Sequence, residues 1–343
     1  MPNHPKAIKF SQFKGINNVV SPESTPPEYL KKALNVNIDK TGGLSKRKGY
    51  TKIDTGSYSS IWTNDNNNLC LAVKNGNLVR INSDLTPSLI KSGVGSEPIS
   101  FEEVDGVVYY TSSITTGIYD NGTLRSWGID RNYLSPTLSQ VAGTLPIGTY
   151  QVTYTFLRND GIESGCGVAS YITTTTTSGI SFPIPTHPDP QILYARVYCS
   201  NQNGDVLYYN GYGTLGTTYT ISSVDSDSNP LRMFNLDAAP TGDIVKYYNG
   251  RLYVASGNVL WYSEKYQYQH FILASNYIEF PSEILEVMPV EDGIWIGSDN
   301  IYLLSGQEPQ EFKKVTKEIA RVIKGTGSMV SGSYIHMENT PIG

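Results

Sequence analysis

The side chains that could carry chemistry are few and widely spaced. The sequence has four histidines and three cysteines, namely His4, His187, His270, His336, Cys70, Cys166 and Cys199. No two histidines are four residues apart, and no two cysteines form a C-x-x-C pair, so the spacing of a metal site is missing. We therefore predict no metal ion and no cofactor. The odd number of cysteines in a chain of this size favours free, reduced thiols.

Three other segments resemble functional motifs only in part. Residues 225–229 alternate oxygen-bearing side chains like a calcium loop, but they lack its central glycine and distal glutamate. Residues 161–167 are rich in glycine, but neither a Lys-Ser/Thr pair nor the order G-x-S-x-G is present. A sialidase-type propeller would need repeated Ser-x-Asp-x-Gly-x-Thr-Trp turns, and residues 118–125 lack the Ser, the Thr and the Trp at their places in this motif. We predict no catalytic residue and a protein that is not an enzyme.

Composition indicates an all-β protein. The 343 residues include 25 tyrosines and 32 glycines, and only 17% are charged.

The formal net charge of −5 argues against a general phosphate-binding surface, and the short basic run at Lys46, Arg47 and Lys48 is interpreted as a solvated strand end. The first residues lack an apolar signal region, and no run approaches 18 apolar residues. We therefore expect no signal peptide, no membrane span and synthesis in the cytoplasm.

Tight turns recur along the chain. An Asn-Gly or Asp-Gly pair between alternating apolar runs is the strongest short-range signal of a β-hairpin. Such pairs occur at Asn75-Gly76, Asp105-Gly106, Asn121-Gly122, Asn249-Gly250 and Asp292-Gly293. Around them the strands fall into units of about 40 residues, which is typical of a β-propeller blade with four antiparallel strands.

The middle of the chain has a different rhythm. Residues 149–158 and 192–200 alternate apolar and polar side chains, and short strands follow one another every 8–12 residues, as in a β-sandwich. Pro136 and Pro230 mark its two seams. The predicted fold is all-β, a propeller-like domain of four-stranded blades split by an inserted β-sandwich. Its parts are an N-terminal arm (1–43), the first part of the propeller (44–134), the insert (135–232) and the second part of the propeller (233–343).

The arm contains apolar residues that require burial. Phe10, Phe13 and Ile16 either pack under the main domain or dock on a neighbouring subunit, and they are our candidate subunit-interface residues. A short helical turn is expected over residues 27–35. The last ten residues end in a turn without a closing strand. Either a strand near residues 44–53 completes the last blade, or the gene product continues further.

Several segments together resemble one family of phage virion proteins. The strings FKGIN at 13–17, LNVN at 34–37 and GGLSKRKGY at 42–50 are similar to the start of tail nozzle or hub proteins of short-tailed, podovirus-like bacteriophages. Residues 247–263 and 292–309 are similar to two consecutive blades of those proteins. The insert, with residues 150–156, 160–164 and 195–198, resembles their fibronectin type III-like module.

The resemblance implies a structural subunit of a phage tail. Such subunits form a ring, generally a hexamer, around the DNA ejection channel and attach to the portal–adaptor assembly and other tail proteins. Double-stranded DNA passes through the ring without specific binding, so we expect an acidic or neutral wall with the Lys46–Lys48 run off the channel. The expected location is the tail of the virion, after synthesis in the host cytoplasm.

Two alternatives remain open at this point. The first is a carbohydrate-binding or host-adhesion propeller, for which Trp261, Trp295 and Tyr302 would be exposed aromatic platforms. The second is a head–tail stopper of a long-tailed phage, which the sequence does not distinguish from a nozzle.

Overall fold

The computed structural model describes residues 12–17, 19–131, 134–318, 322–330 and 333–335. Over these residues the regular structure consists of β-strands and two single-turn 3-10 helices, Pro22–Ser24 and Pro309–Glu311, with no α-helix. The predicted all-β class is confirmed. No helix in this described part of the chain is long and apolar enough to cross a membrane.

The chain divides into two compact units, residues 1–55 and residues 56–343. This division lies later than the arm boundary predicted at residue 43. In the first unit, β1 (Val36–Ile38) pairs with β2 (Leu44–Lys46). The helical turn predicted over residues 27–35 was wrong. The N–H of Leu30 donates instead to the carbonyl oxygen of Gly15, which holds this segment in an extended pairing.

The second unit begins with two four-stranded antiparallel meanders, in which each strand pairs with the next along the chain. For the first, the sequence predicts three strands, at residues 59–63, 69–73 and 78–82, and the structure has a fourth. The additional strand runs along the edge of the sheet and starts at Pro87, where the missing N–H of proline is tolerated. The first meander consists of β3 (Tyr58–Thr63), β4 (Cys70–Lys74), β5 (Asn77–Ile81) and β6 (Pro87–Lys91), and the second of β7 (Ser100–Val104), β8 (Val107–Thr111), β9 (Thr116–Asp120) and β10 (Thr123–Arg125).

The following strands form two sheets that share one core. A three-stranded sheet has the order β11-β14-β17, and a central four-stranded sheet has the order β13-β12-β15-β16. Tyr150, Val152 and Tyr154 of the central sheet pack with Ile180 and Phe182 of the other sheet. The strands are β11 (Ser139–Leu145), β12 (Thr149–Arg158), β13 (Ser170–Thr173), β14 (Ser178–Pro183), β15 (Ile192–Ser200), β16 (Leu207–Thr214) and β17 (Thr218–Ile221).

Two further meanders follow. In the third, an additional strand pairs with β20. The third meander consists of β18 (Ile244–Tyr248), β19 (Arg251–Ser256), β20 (Val259–Glu264), β21 (Gln267–Phe271) and β22 (Tyr277–Glu279), and the fourth of β23 (Glu286–Val290), β24 (Gly293–Gly297), β25 (Ile301–Ser305) and β26 (Lys313–Glu318). A hairpin of β27 (Ser328–Val330) and β28 (Ser333–Ile335) comes last among the described strands.

Consecutive meanders in the second unit pack on each other through apolar faces. Each contact is a core built from side chains of two sheets, because the alternation of a strand places every second residue on the same face. Representative residues are Leu71 and Tyr110 between the first and second meanders, Tyr109 and Leu252 between the second and third, and Tyr253 and Ile294 between the third and fourth.

The Asn-Gly and Asp-Gly turns position these strands. Asn75, Asp105, Asn121 and Asn249 and the glycine after each of them have positive φ, as the sequence predicts for a two-residue hairpin turn. The pair at Asp292 differs, because only Gly293 has a positive φ, of 153°. A Cβ added at Gly293 would collide with the carbonyl oxygen of Leu304 on the neighbouring strand. This glycine therefore permits the close approach of β24 and β25.

We predict that Gly293→Ala destabilises the protein more than Gly106→Ala. Gly106 also has positive φ, but a Cβ there meets nothing within 4 Å, so alanine costs only the left-handed backbone conformation, about 1–2 kcal/mol. The collision at Gly293 should add about 1–3 kcal/mol. Urea unfolding of both variants measures the difference, and equal losses of unfolding free energy would contradict the close approach.

Candidate functional site

The predicted interface residues lie in an extended segment of the first unit. The N–H of Phe13 donates to the carbonyl oxygen of Gly42 at 2.9 Å, and Ile16 forms a parallel bridge with Leu30. The Phe13 side chain is half-buried, whereas Ile16 is 53% exposed. Phe10 lies outside the described residues. Of the two described candidates, Ile16 is thus the one with a large solvent-facing surface, and the interface role of all three stays a prediction.

The Asp39 carboxylate orders the β1–β2 hairpin, to which Phe13 is hydrogen-bonded through Gly42. Asp39 accepts hydrogen bonds from the Thr41 hydroxyl at 2.6 Å and from the amides of Thr41 and Gly43 at 2.8 Å each. The side-chain hydrogen bond from Thr41, followed by the amide bonds, lowers the pKa of Asp39 below its ordinary value. The turn between β1 and β2 is therefore a defined structure that leads directly into the basic run after Leu44.

The first unit exposes more apolar surface than the sequence analysis recognised. Tyr50 is 95% exposed and Ile53 67%, and Val19 and Leu34 are exposed to a similar degree. Lys46, Arg47 and Lys48 are exposed as well, at and just after the end of β2. The sequence signal for this exposed apolar surface was the presence of Tyr50 and Ile53 in a segment that is otherwise mostly polar and basic. We name residues 44–53 the basic–apolar segment.

In the second unit, a buried arginine connects the central sheet to two meanders. Arg158, at the end of β12, has no solvent-exposed side-chain surface. Its guanidinium donates two hydrogen bonds to Asp160, at 3.0 and 2.8 Å. It also donates to the carbonyl oxygen of Ser126 at 2.8 Å and to the side-chain oxygen of Gln269. Sequence analysis missed this role, because Ser126 and Gln269 are 32 and 111 residues away along the chain.

Further polar contacts surround this arginine. The indole N–H of Trp127 donates to the carbonyl oxygen of Tyr268 at 2.6 Å, so it connects the residues after β10 with β21. The Nε2 atom of His270 lies 2.9 Å from the carbonyl oxygen of Glu163. We name these contacts and those of Arg158 the Arg158 junction. A buried, satisfied polar network has one geometry in which all groups are paired, so the junction sets the position of the central sheet on its neighbours.

A second network satisfies a buried carboxylate on the outer side of the central sheet. Glu163 accepts hydrogen bonds from Thr155 at 2.5 Å, Tyr198 at 2.7 Å and Arg196 at 2.6 Å. The Arg196 guanidinium also lies over the Tyr209 ring, 4.8 Å from its centre. Burial, and after it the hydrogen bond to Glu163, raises the pKa of Tyr198, so this phenol stays protonated. The arrangement suits a structural ion pair and provides no nucleophile.

The buried cysteines and His187 are the next candidates for reactive groups, and their surroundings indicate a structural role. Burial raises the pKa of the Cys199 thiol to about 12 and raises that of Cys166 as well, which suppresses the reactive thiolate. His187 packs edge-on against Phe156 with ring centres 4.8 Å apart. Among the described residues, no group of three or more His, Cys, Asp or Glu side chains is placed to hold a metal ion. His4 and His336 lie outside the described residues.

The aromatic residues proposed as glycan platforms pack inside the second unit. Tyr302 is buried, 5% exposed, with its ring 5.3 Å from that of Phe280. Trp261 is half-buried against Tyr277 at 5.2 Å, and Trp295 is also half-buried. This placement gives no support to the carbohydrate-binding alternative, which needs open aromatic faces.

Comparison with known proteins adds little to this description. No family model matches the chain, and no curated protein matches it. The CNH domain of AfRom2 aligns with a TM-score of 0.19 and 8% identity, over 82% of this chain and 93% of that one. The extracellular domain assigned to the hybrid two component system BT4673 from B. thetaiotaomicron aligns with a TM-score of 0.18 and 11% identity, over 82% and 57%. Similarity at this level supports no inference about fold or function.

We predict that Arg158→Met destabilises the second unit by about 1.5–3 kcal/mol, because the buried guanidinium loses its charge-assisted hydrogen bonds to Asp160, Ser126 and Gln269. Arg80→Met is the matched control, since Arg80 is an exposed arginine on β5. The control should change the free energy of unfolding by less than about 0.5 kcal/mol. Urea unfolding measures both, and equal small effects would show that the Arg158 junction is not important for stability.

The same junction predicts a pH dependence. Burial alone would raise the pKa of Asp160, but the hydrogen bonds and charge of Arg158 outweigh it and leave that pKa below its ordinary value. The resulting stabilisation is complete above the unfolded-state value of about 3.9 and is lost as the pH falls through the lower folded-state value. The stability of the wild type should therefore fall more steeply than that of Asp160→Asn below about pH 4. Parallel acid-unfolding curves would contradict this coupling.

Proposed function

We propose that this chain is a non-catalytic structural subunit of a short bacteriophage tail. It forms a ring, nozzle or hub, around the DNA ejection channel and attaches to the portal–adaptor assembly. The observation that carries the proposal is the succession of antiparallel meanders in the described part of the second unit, three with four strands and one with a fifth, each packed on the next through an apolar face. A four-stranded antiparallel sheet per repeat is the architecture of a propeller blade.

The finer fold belongs to the same proposal. We infer that the meanders are blades of a propeller-like domain, at residues 44–134 and 233–343, and that residues 135–232 form an inserted fibronectin type III-like sandwich. Two sheets packed over one core, as β12 and β14 illustrate, are the elements of such a sandwich. The segments that resemble phage nozzle proteins support this inference, since residues 247–263 fall in β18–β20 and residues 292–309 in β24 and β25.

The local chemistry supports a structural role. Arg158 and His270 are engaged in contacts that connect the central sheet with the meanders, and the Glu163 carboxylate is engaged in hydrogen bonds within the central sheet. Rigid junctions between sheets suit a subunit that must keep its shape in a multi-protein tail. In this proposal the protein is made in the host cytoplasm and resides in the tail of the virion.

Purified full-length protein should assemble into closed rings with a central opening. Negative-stain electron microscopy with class averaging measures the symmetry, and the resemblance leads us to expect six subunits. A protein that stays monomeric, or that forms open filaments, would contradict the ring. Inclusion of the adaptor protein of the same phage provides the control for a ring that assembles only on its neighbour.

The assembled ring should bind free duplex DNA weakly. Residues 56–343 contain 16 basic and 27 acidic residues, a net charge of −11, which makes a wall built from them repel phosphates. Fluorescence anisotropy with a labelled duplex at low salt measures the affinity. Tight binding that is lost steeply on addition of salt would count against a conduit through which DNA slides.

A further inference from the structure

The two compact units carry opposite charges. Residues 1–55 contain ten basic and four acidic residues, a net charge of +6, whereas residues 56–343 have a net charge of −11. The change of sign coincides with the structural division at residues 55 and 56. The total of −5 conceals this asymmetry. Opposite charges favour association between the first unit of one copy and the second unit of another copy.

The positive charge of the first unit includes an exposed run next to exposed apolar side chains. Lys46, Arg47 and Lys48 are exposed, and Tyr50 and Ile53 follow them at 95% and 67% exposure in a single copy. An exposed apolar patch rimmed by polar residues marks a protein-interaction site, and Tyr50 and Ile53 lie three residues apart beside the basic run. Tyrosine and arginine are also the residue types enriched at protein–protein interfaces.

We propose that the basic–apolar segment, residues 44–53, binds the acidic second unit, residues 56–343, of another copy of this chain. The charge complementarity selects the partner, and Tyr50 and Ile53 supply the apolar area that an ion-pair contact alone lacks. Such a contact joins two different surfaces, so it is heterologous and repeats from copy to copy until the ring closes. This inference rests on the proposed ring and names one side of its subunit interface.

Duplex DNA is the competing partner for a basic surface. A phosphate backbone would use Lys46, Arg47 and Lys48 but would leave Tyr50 and Ile53 exposed, because phosphate contacts bury little apolar surface. The observed combination of a basic run and two large apolar side chains therefore favours a protein surface that is acidic.

The test compares two triple variants of the full-length protein. K46E/R47E/K48E reverses the run, and R80E/R232E/K313E reverses three exposed basic residues of the second unit. Both variants have the same total charge, but only the first removes charge complementarity between the units. We expect the first to weaken self-association at low salt by roughly tenfold or more and the second to leave it unchanged or strengthen it. Sedimentation velocity at low and high salt measures association, and urea unfolding verifies that both variants fold.

Tyr50→Ser separates the apolar contribution from the charge. It should weaken self-association while the salt dependence stays that of the wild type, since the three cations remain. An unchanged association constant for K46E/R47E/K48E, an equal loss in both triple variants, or a wild type that is monomeric at low salt would overturn the inference. Tight binding of a duplex oligonucleotide through the run, without self-association, would also overturn it.

The outcomes distinguish this inference from the proposed function. Rings that persist in K46E/R47E/K48E would overturn the interface and leave the tail-ring proposal intact. Salt-sensitive association that produces no closed ring by electron microscopy would support the interface and contradict the ring.

Discussion

The structure depends on the burial of one sheet face by the next sheet along the chain. A four-stranded meander such as β7–β10 has apolar side chains on both faces, with Tyr110 on one and Tyr109 on the other. A single meander cannot shield both faces, so it is stable only between two neighbours. This constraint explains why the meanders of the second unit pack on one another in chain order.

The two sheets formed by β11–β17 separate the second and third meanders along the chain, but these meanders still pack on each other. The second and third meanders share a core although more than a hundred residues separate β10 from β18. The Arg158 junction joins the central sheet to Ser126, which follows β10 of the second meander, and to Gln269 on β21 of the third meander. A polar junction of this kind holds the insert in one orientation, whereas apolar packing alone tolerates sliding.

Sequence reasoning succeeded where local chemistry decides the structure. β12 and β15 were predicted with the bounds that the structure has, because period-2 alternation determines them. β6 was missed, since an edge strand that begins at Pro87 lacks an alternating apolar pattern. The helical turn near Leu30 failed because its backbone pairs with residues 14–17. The Arg158 junction joins residues that are distant in sequence, so no local pattern indicates it. The opposite net charges of the two compact units were missed because the charge was summed over the whole chain.

The central claim is that these meanders form part of a ring around a DNA channel in a phage tail. The most direct measurement is a cryo-electron microscopy reconstruction of a virion that contains this chain. The account predicts ring density below the portal into which the meanders fit as rigid four-stranded sheets, with DNA on the ring axis. Localisation of the chain to the capsid surface or to a receptor-binding fibre, away from the axis, would contradict it.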